Sequence, residues 1–98
     1  MTDKNLEYEG SLALSGTLIS KAGLEPGQMV LIVNLENAER FETYLIEAGE
    51  GECSLNGGTA RLGEIGDRLI IIAVAYLDPG ERIEPVVIKV DRQNKPLE

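Results

Sequence analysis

A nine-residue pattern occurs twice in this chain. Glu25-Pro26-Gly27-Gln28-Met29-Val30-Leu31-Ile32-Val33 aligns with Glu64-Ile65-Gly66-Asp67-Arg68-Leu69-Ile70-Ile71-Ile72, 39 residues later. Each copy runs from an acidic residue through a Gly turn into an apolar strand, and each follows a short helical segment, residues 15–22 in the first and 59–62 in the second. In a chain of 98 residues such an offset implies two related halves packed about a pseudo-two-fold axis. A small closed β-barrel of six or seven strands with one or two short helices satisfies this, and closure removes the strand edges that invite aggregation.

The remaining apolar residues agree with a mainly β reading. They fall in short runs at 30–33, 44–46, 69–77 and 86–90, rich in β-branched residues and separated by Gly, Pro and acidic residues. For the helix at 15–22, Ser15 supplies a cap, Leu18, Ile19 and Ala22 share a face, and Gly23 supplies the stop. The tail after Asp91 has little to bury and is expected to fray. At this length one core suffices, so residues 1–98 are expected to form one barrel domain.

Charge and residue types exclude whole classes of function. A formal charge of −8 with no basic stripe argues against nucleic-acid binding. With no His and only Cys53, the chain lacks the usual zinc ligands, and Ser-His or Cys-His catalysis is excluded; no metal is expected. Cys53 cannot pair within the chain, and the N-terminus does not have the pattern of a secretion signal, so a cytoplasmic protein is expected. The longest apolar run, 69–77, is about half of what a membrane span requires, so no membrane partner is expected.

Three short motifs hold residues able to do chemistry. In Tyr8-Glu9-Gly10-Ser11 the Ser hydroxyl can attack the preceding carbonyl if the backbone is strained, and Gly10 leaves the approach open; the same residues also read as a plain turn into a strand. In Arg40-Phe41-Glu42-Thr43-Tyr44 strand periodicity puts Arg40, Glu42 and Tyr44 on one face and Phe41 and Thr43 on the other. Arg40 can clamp a carboxylate or simply pair with Glu39 or Glu42, and Tyr44 can donate a proton or pack at a strand end. In Asn56-Gly57-Gly58-Thr59-Ala60-Arg61 a turn opens a helical segment whose backbone N–H groups can hold an anion; taken alone, the same residues more often form a plain turn.

In this order and spacing, the three motifs together with Gly66-Asp67 resemble the aspartate 1-decarboxylase family over nearly the whole chain, from about Thr2 to about Val90. The resemblance implies a double-psi β-barrel and a homotetramer with active sites between subunits. It implies self-cleavage at Gly10-Ser11 through an ester, giving a β chain of residues 1–10 and an α chain of residues 11–98. Ser11 would become a covalently bound pyruvoyl group, which forms a Schiff base with L-aspartate and accepts the electrons left by departing CO₂ on the way to β-alanine for pantothenate and coenzyme A synthesis. Arg40 would bind a substrate carboxylate, Thr43 would assist processing and contact substrate, and Tyr44 would return the proton. Gly57, Gly58 and Thr59 would supply backbone contacts, Asn56 would position groups at the cleavage site, and Tyr8 would lie near the pyruvoyl group. The family carries a further first strand with a Lys and a His before the position of Thr2, and Lys4 does not replace it. Slow or no processing, with little decarboxylase activity, is the expectation for a chain without that strand, because strain at a cleavage site persists only where neighbours enforce it. The alternative is an unprocessed or inactive barrel that acts only as a binding module.

Overall fold

The computed structural model describes residues 3–5 and 10–97. In chain order it holds β1 (Asp3–Asn5), β2 (Ser11–Ser15), α1 (Gly16–Lys21), β3 (Met29–Asn34), β4 (Arg40–Ala48), β5 (Cys53–Asn56), a 3-10 helix (Gly57–Leu62) and β6 (Leu69–Ile72). The helix forms where its caps are. The Ser15 hydroxyl accepts from the Leu18 N–H at 3.3 Å. At the other end Gly23, at φ +76, lets its own N–H reach Ser20 O and the Leu24 N–H reach Ile19 O, both at 3.0 Å. Those two bonds satisfy carbonyls that the helix end would otherwise leave open. Leu18 and Ile19 face the core.

The strands form one six-stranded mixed sheet in the order β1-β5-β2-β4-β3-β6. β2 lies antiparallel to β5 and parallel to β4; β3 lies antiparallel to both β4 and β6; β1 runs parallel to β5. Leu12, Ile32, Leu45 and Leu55 are fully buried at the centre. The mainly β expectation and the two helical segments are borne out. No helix among the described residues is long and apolar enough to cross a membrane.

The repeat has a physical basis. In each copy the fourth residue closes the same turn: the Gln28 N–H donates to Glu25 O at 3.2 Å and the Asp67 N–H to Glu64 O at 3.0 Å. Their side chains accept in return, Gln28 Oε1 from the Glu25 N–H at 3.2 Å and Asp67 Oδ2 from the Glu64 N–H at 2.9 Å. Gly27 and Gly66 take φ +89 and +96, a left-handed conformation that an L side chain adopts only under strain. The strands that follow then pair with each other, and Ile32 faces Ile71, its own counterpart at the repeat offset. Antiparallel pairing gives each facing pair a local two-fold axis, so the pseudo-symmetry axis passes between these two residues.

The second half departs from the first after β6. The run at 69–77 is a strand only over Leu69–Ile72, and among the described residues none forms at 73–89. Pro79, Gly80 and Pro85 interrupt that stretch, and proline removes the donor a ladder needs. The 86–90 run contributes one isolated bridge, Val90 to Pro96. Closure is accordingly incomplete: β1 and β6 are the edges of an open sheet, where a closed barrel is expected from the sequence. Beside β5 the parallel place that β4 takes beside β2 is held by β1. The tail is tied down rather than frayed, with Leu97 N–H donating to Lys89 O at 2.7 Å and Asn94 Nδ2 to Gly51 O at 2.9 Å.

Ala38, in the turn from β3 to β4, stands at φ +64. The left-handed region costs an L residue about 1–2 kcal/mol, and a glycine gives back about 0.5–1 kcal/mol through its looser unfolded chain. Ala38→Gly is expected to stabilise the fold by roughly 0.5–1 kcal/mol and raise the thermal midpoint by roughly 3–6 °C. Melting followed by circular dichroism checks this, and a lowered midpoint would show that the turn is not strained at this residue.

Candidate active site

β2 begins at Ser11, immediately after Gly10 in a half-buried bend. Ser11 is 3% exposed and faces Asn56, the last residue of β5. Asn56 Nδ2 donates to Ser11 Oγ at 3.1 Å. Asn56 makes no side-chain cap bond to the 3-10 helix that it precedes. Gly57 reverses the chain at φ +63 and starts the 3-10 helix, which carries Gly58 and Thr59 in its first turn. The leading N–H groups of any helix lie outside its own ladder, so this turn directs donors toward the end of β5.

Register places β4 beside the same spot. Leu12 pairs with Leu45 in the parallel ladder, so Ser11 lies level with Tyr44, and one row crosses three strands from Asn56 through Ser11 to Tyr44. Tyr44 is half-buried and on the Ser11 side of the sheet by register; Thr43 is buried and alternates to the side of Leu12 and Leu45. The expected alternation along 40–44 is observed, with Arg40 exposed at the far end of β4 opposite Val33. Four residues of strand put Arg40 about 13 Å from the level of Tyr44. Ser11, Asn56, Gly57 and Tyr44 are therefore brought together, and Arg40 is not brought to them within one chain. Tyr8 lies outside the described residues, as does the Thr59 side chain.

One residue passed over in the sequence reading stands out in the structure. Asn34, which ends the apolar strand β3 and reads there as the start of a turn, is fully buried. Its side chain reaches Leu62 O, at the end of the 3-10 helix, and Asp67. The cue in the sequence is a second Asn three residues on, since Asn34 and Asn37 each accept from the N–H two residues ahead at 2.9 Å and turn the chain into β4.

An ion pair lies away from this cluster. Arg68 Nε meets Glu36 Oε2 at 2.7 Å on the surface, a hydrogen bond that holds the Glu36 carboxyl below and the Arg68 guanidinium above its ordinary value. Among the described residues no group of three or more His, Cys, Asp or Glu could hold a metal ion.

Comparison with known proteins gives a consistent match. A family model described as aspartate decarboxylase matches residues 1–97. An aspartate 1-decarboxylase from Kosmotoga olearia is 47% identical over 100 residues, which span all of this chain and 87% of its own. Those of Coprothermobacter proteolyticus (45% over 92 residues; 92% of this chain and 77% of the relative) and Haloquadratum walsbyi (40% over 95 residues; 97% and 83%) are similar along most of their lengths.

Cys53 stands on β5 three residues from Asn56, buried at 6% exposure, and its burial pushes the thiol above its ordinary value. A thiol that stays protonated and enclosed is a poor nucleophile. Cys53 is expected to resist disulfide-forming reagents at pH 8 in the native protein and to react fully once guanidinium unfolds it. Rapid labelling of the native protein would show that β5, and the site at its end, opens readily.

Proposed function

The chain belongs to the aspartate decarboxylase family, and from that membership we propose that it converts L-aspartate to β-alanine and CO₂ with a pyruvoyl group made from its own Ser11. The observation that carries the reading is the hydrogen bond from Asn56 to a buried Ser11 hydroxyl that directly follows Gly10. Ser11 Oγ reaches the Gly10 carbonyl carbon through a five-membered ring. Its attack breaks the peptide C–N bond and leaves an ester on the hydroxyl with a free amine on Ser11. Loss of the Cα proton then expels the Gly10 carboxylate, and water replaces the nitrogen, which departs as ammonia. The products are a β chain of residues 1–10 and an α chain of residues 11–98 beginning with the pyruvoyl group. The surroundings fit that group, because its keto oxygen is borne on Cα and accepts hydrogen bonds, and the Asn56 amide donates at Ser11 Oγ, two bonds from that carbon.

Once formed, the group supplies an electrophilic carbonyl that takes up the electrons released with CO₂. The protein holds the substrate around it. In this reading Arg40 binds a carboxylate through two parallel hydrogen bonds, while backbone N–H groups of Gly57, Gly58 and Thr59 hold the second anionic end. Thr43, on the Leu12 side of the sheet but level by register with Gly10, assists cleavage and contacts substrate, Tyr44 returns the proton, Asn56 orients the carbonyl, and Tyr8 lies nearby. Arg40 serves this role in a neighbouring copy, since within one chain it lies about 13 Å along β4 from the level of Ser11. A homotetramer with sites between subunits accords with that separation and with the apolar residues Val74, Tyr76, Ile83, Val86 and Val87, all at least 63% exposed. A cytoplasmic location accords with a biosynthetic decarboxylase supplying pantothenate and coenzyme A synthesis.

Intact-mass spectrometry of the chain after prolonged warm incubation is expected to show the two fragments, and Ser11→Ala to abolish both cleavage and β-alanine formation. An uncleaved chain that forms no β-alanine would leave a binding module in place of an enzyme. Arg40→Ala is expected to raise KM for L-aspartate about 10- to 100-fold, the worth of a charge-assisted pair, while the thermal midpoint barely moves. Steady-state kinetics check this, and an unchanged KM would remove Arg40 from the site.

A further inference from the structure

We propose that Asn34 is a positioning residue for the candidate site, holding the 3-10 helix and β4 in one fixed relation through the Leu62 carbonyl and the Asp67 carboxylate. Every polar atom of Asn34 is engaged although the residue is fully buried. Its backbone N–H donates to Glu39 O at 2.8 Å and its carbonyl accepts from the Ala38 N–H at 2.9 Å. Its side-chain oxygen accepts from the Glu36 N–H at 2.9 Å, while Nδ2 donates to Leu62 O at 3.1 Å and to Asp67 Oδ2 at 2.8 Å. A second amide, Asn37 Nδ2, donates to the same Leu62 carbonyl at 3.0 Å.

The two structures so joined are those that carry the site. Residues 34–39 lead directly into Arg40 and so onward to Thr43 and Tyr44. Leu62 ends the 3-10 helix whose other end is Asn56 and Gly57. Six residues of 3-10 helix form a short rod about 10 Å long, so fixing its far end fixes the direction of the near one.

The internal repeat argues that folding alone does not need this amide. The counterpart of Asn34 at the 39-residue offset is Ala73, and the first-half turn closes through Gln28 and Glu25 without a buried Asn behind it. Among the described residues the clamp occurs only in the half whose helical turn follows Asn56.

The proposal rests on the decarboxylase reading for its kinetic test, and hydrogen exchange tests it independently. Asn34→Asp keeps the acceptor facing the Glu36 N–H, removes both donors and sets a second carboxylate against Asp67. The double variant Asn34→Asp/Asp67→Asn returns a donor–acceptor pair between positions 34 and 67, at the expense of the Oδ2 acceptor that the Glu64 N–H also uses, and leaves the Leu62 carbonyl without its buried donor. For a positioning residue, the double variant is expected to regain part of the thermal midpoint lost in Asn34→Asp while its KM for L-aspartate stays raised about tenfold, with a smaller change in kcat per processed chain. Amides of residues 40–44 and 57–62 are expected to exchange faster in the double variant than in the unsubstituted chain, with β2 unchanged. Recovery of KM together with the midpoint would overturn the proposal and leave Asn34 a stabiliser of the β3–β6 pair. If the unsubstituted chain forms no β-alanine, the decarboxylase reading fails on its own account and exchange alone decides: unchanged rates at both segments overturn the clamp.

Discussion

β2 is buried along its whole length, on both of its faces, and the rest of the structure is arranged to make that possible. A strand enclosed in this way has no solvent to satisfy its backbone, so both edges must be paired, and they are, by β5 on one side and β4 on the other. One face then carries Leu12 against Leu45 and Leu55, the center of the core. The alternate face carries Ser11, a hydroxyl removed from water and given Asn56 as its partner. Core and candidate nucleophile are thus two sides of the same five residues, and a one-residue slip in register would exchange them.

The parts of the fold that were legible in the sequence are those decided locally. Ser15 and Gly23 announce the ends of α1 because a cap and a left-handed stop depend on the residues beside them. The repeat was legible for a similar reason, since Gly27 and Gly66 mark the same turn in both halves. Strand formation after β6 depends instead on a partner, and apolar composition says nothing about whether one is there. Val86 and Val87 are as β-prone as Val30 and Ile32, yet they lie exposed outside any strand.

The candidate site divides along the same line. Gly10-Ser11 and Asn56-Gly57 could be singled out by their chemistry, and facing register on β2 and β5 brings them together. Asn34 could not, because an Asn at the end of an apolar strand looks like the first residue of a turn, which it also is. Its second role depends on residues 28 and 33 positions away, Leu62 and Asp67, and no local pattern records contacts at that separation.

Pseudo-symmetry sharpens the meaning of such departures. Two halves that close the same turn and pair across Ile32 and Ile71 would be expected to use the same interior. They differ where one carries Asn34 and the other Ala73, and where one continues into β4 and the other into the interrupted stretch at 73–89. The first difference adds a buried polar network, which costs desolvation unless every member is satisfied and which fixes geometry when it is. The second leaves apolar side chains uncovered, which costs solubility unless another surface meets them. In the proposed assembly both costs are offset at one place: the network holds the helical turn against β4, and a neighbouring copy covers the exposed stretch while bringing an Arg40 that the chain cannot fold back onto its own Ser11.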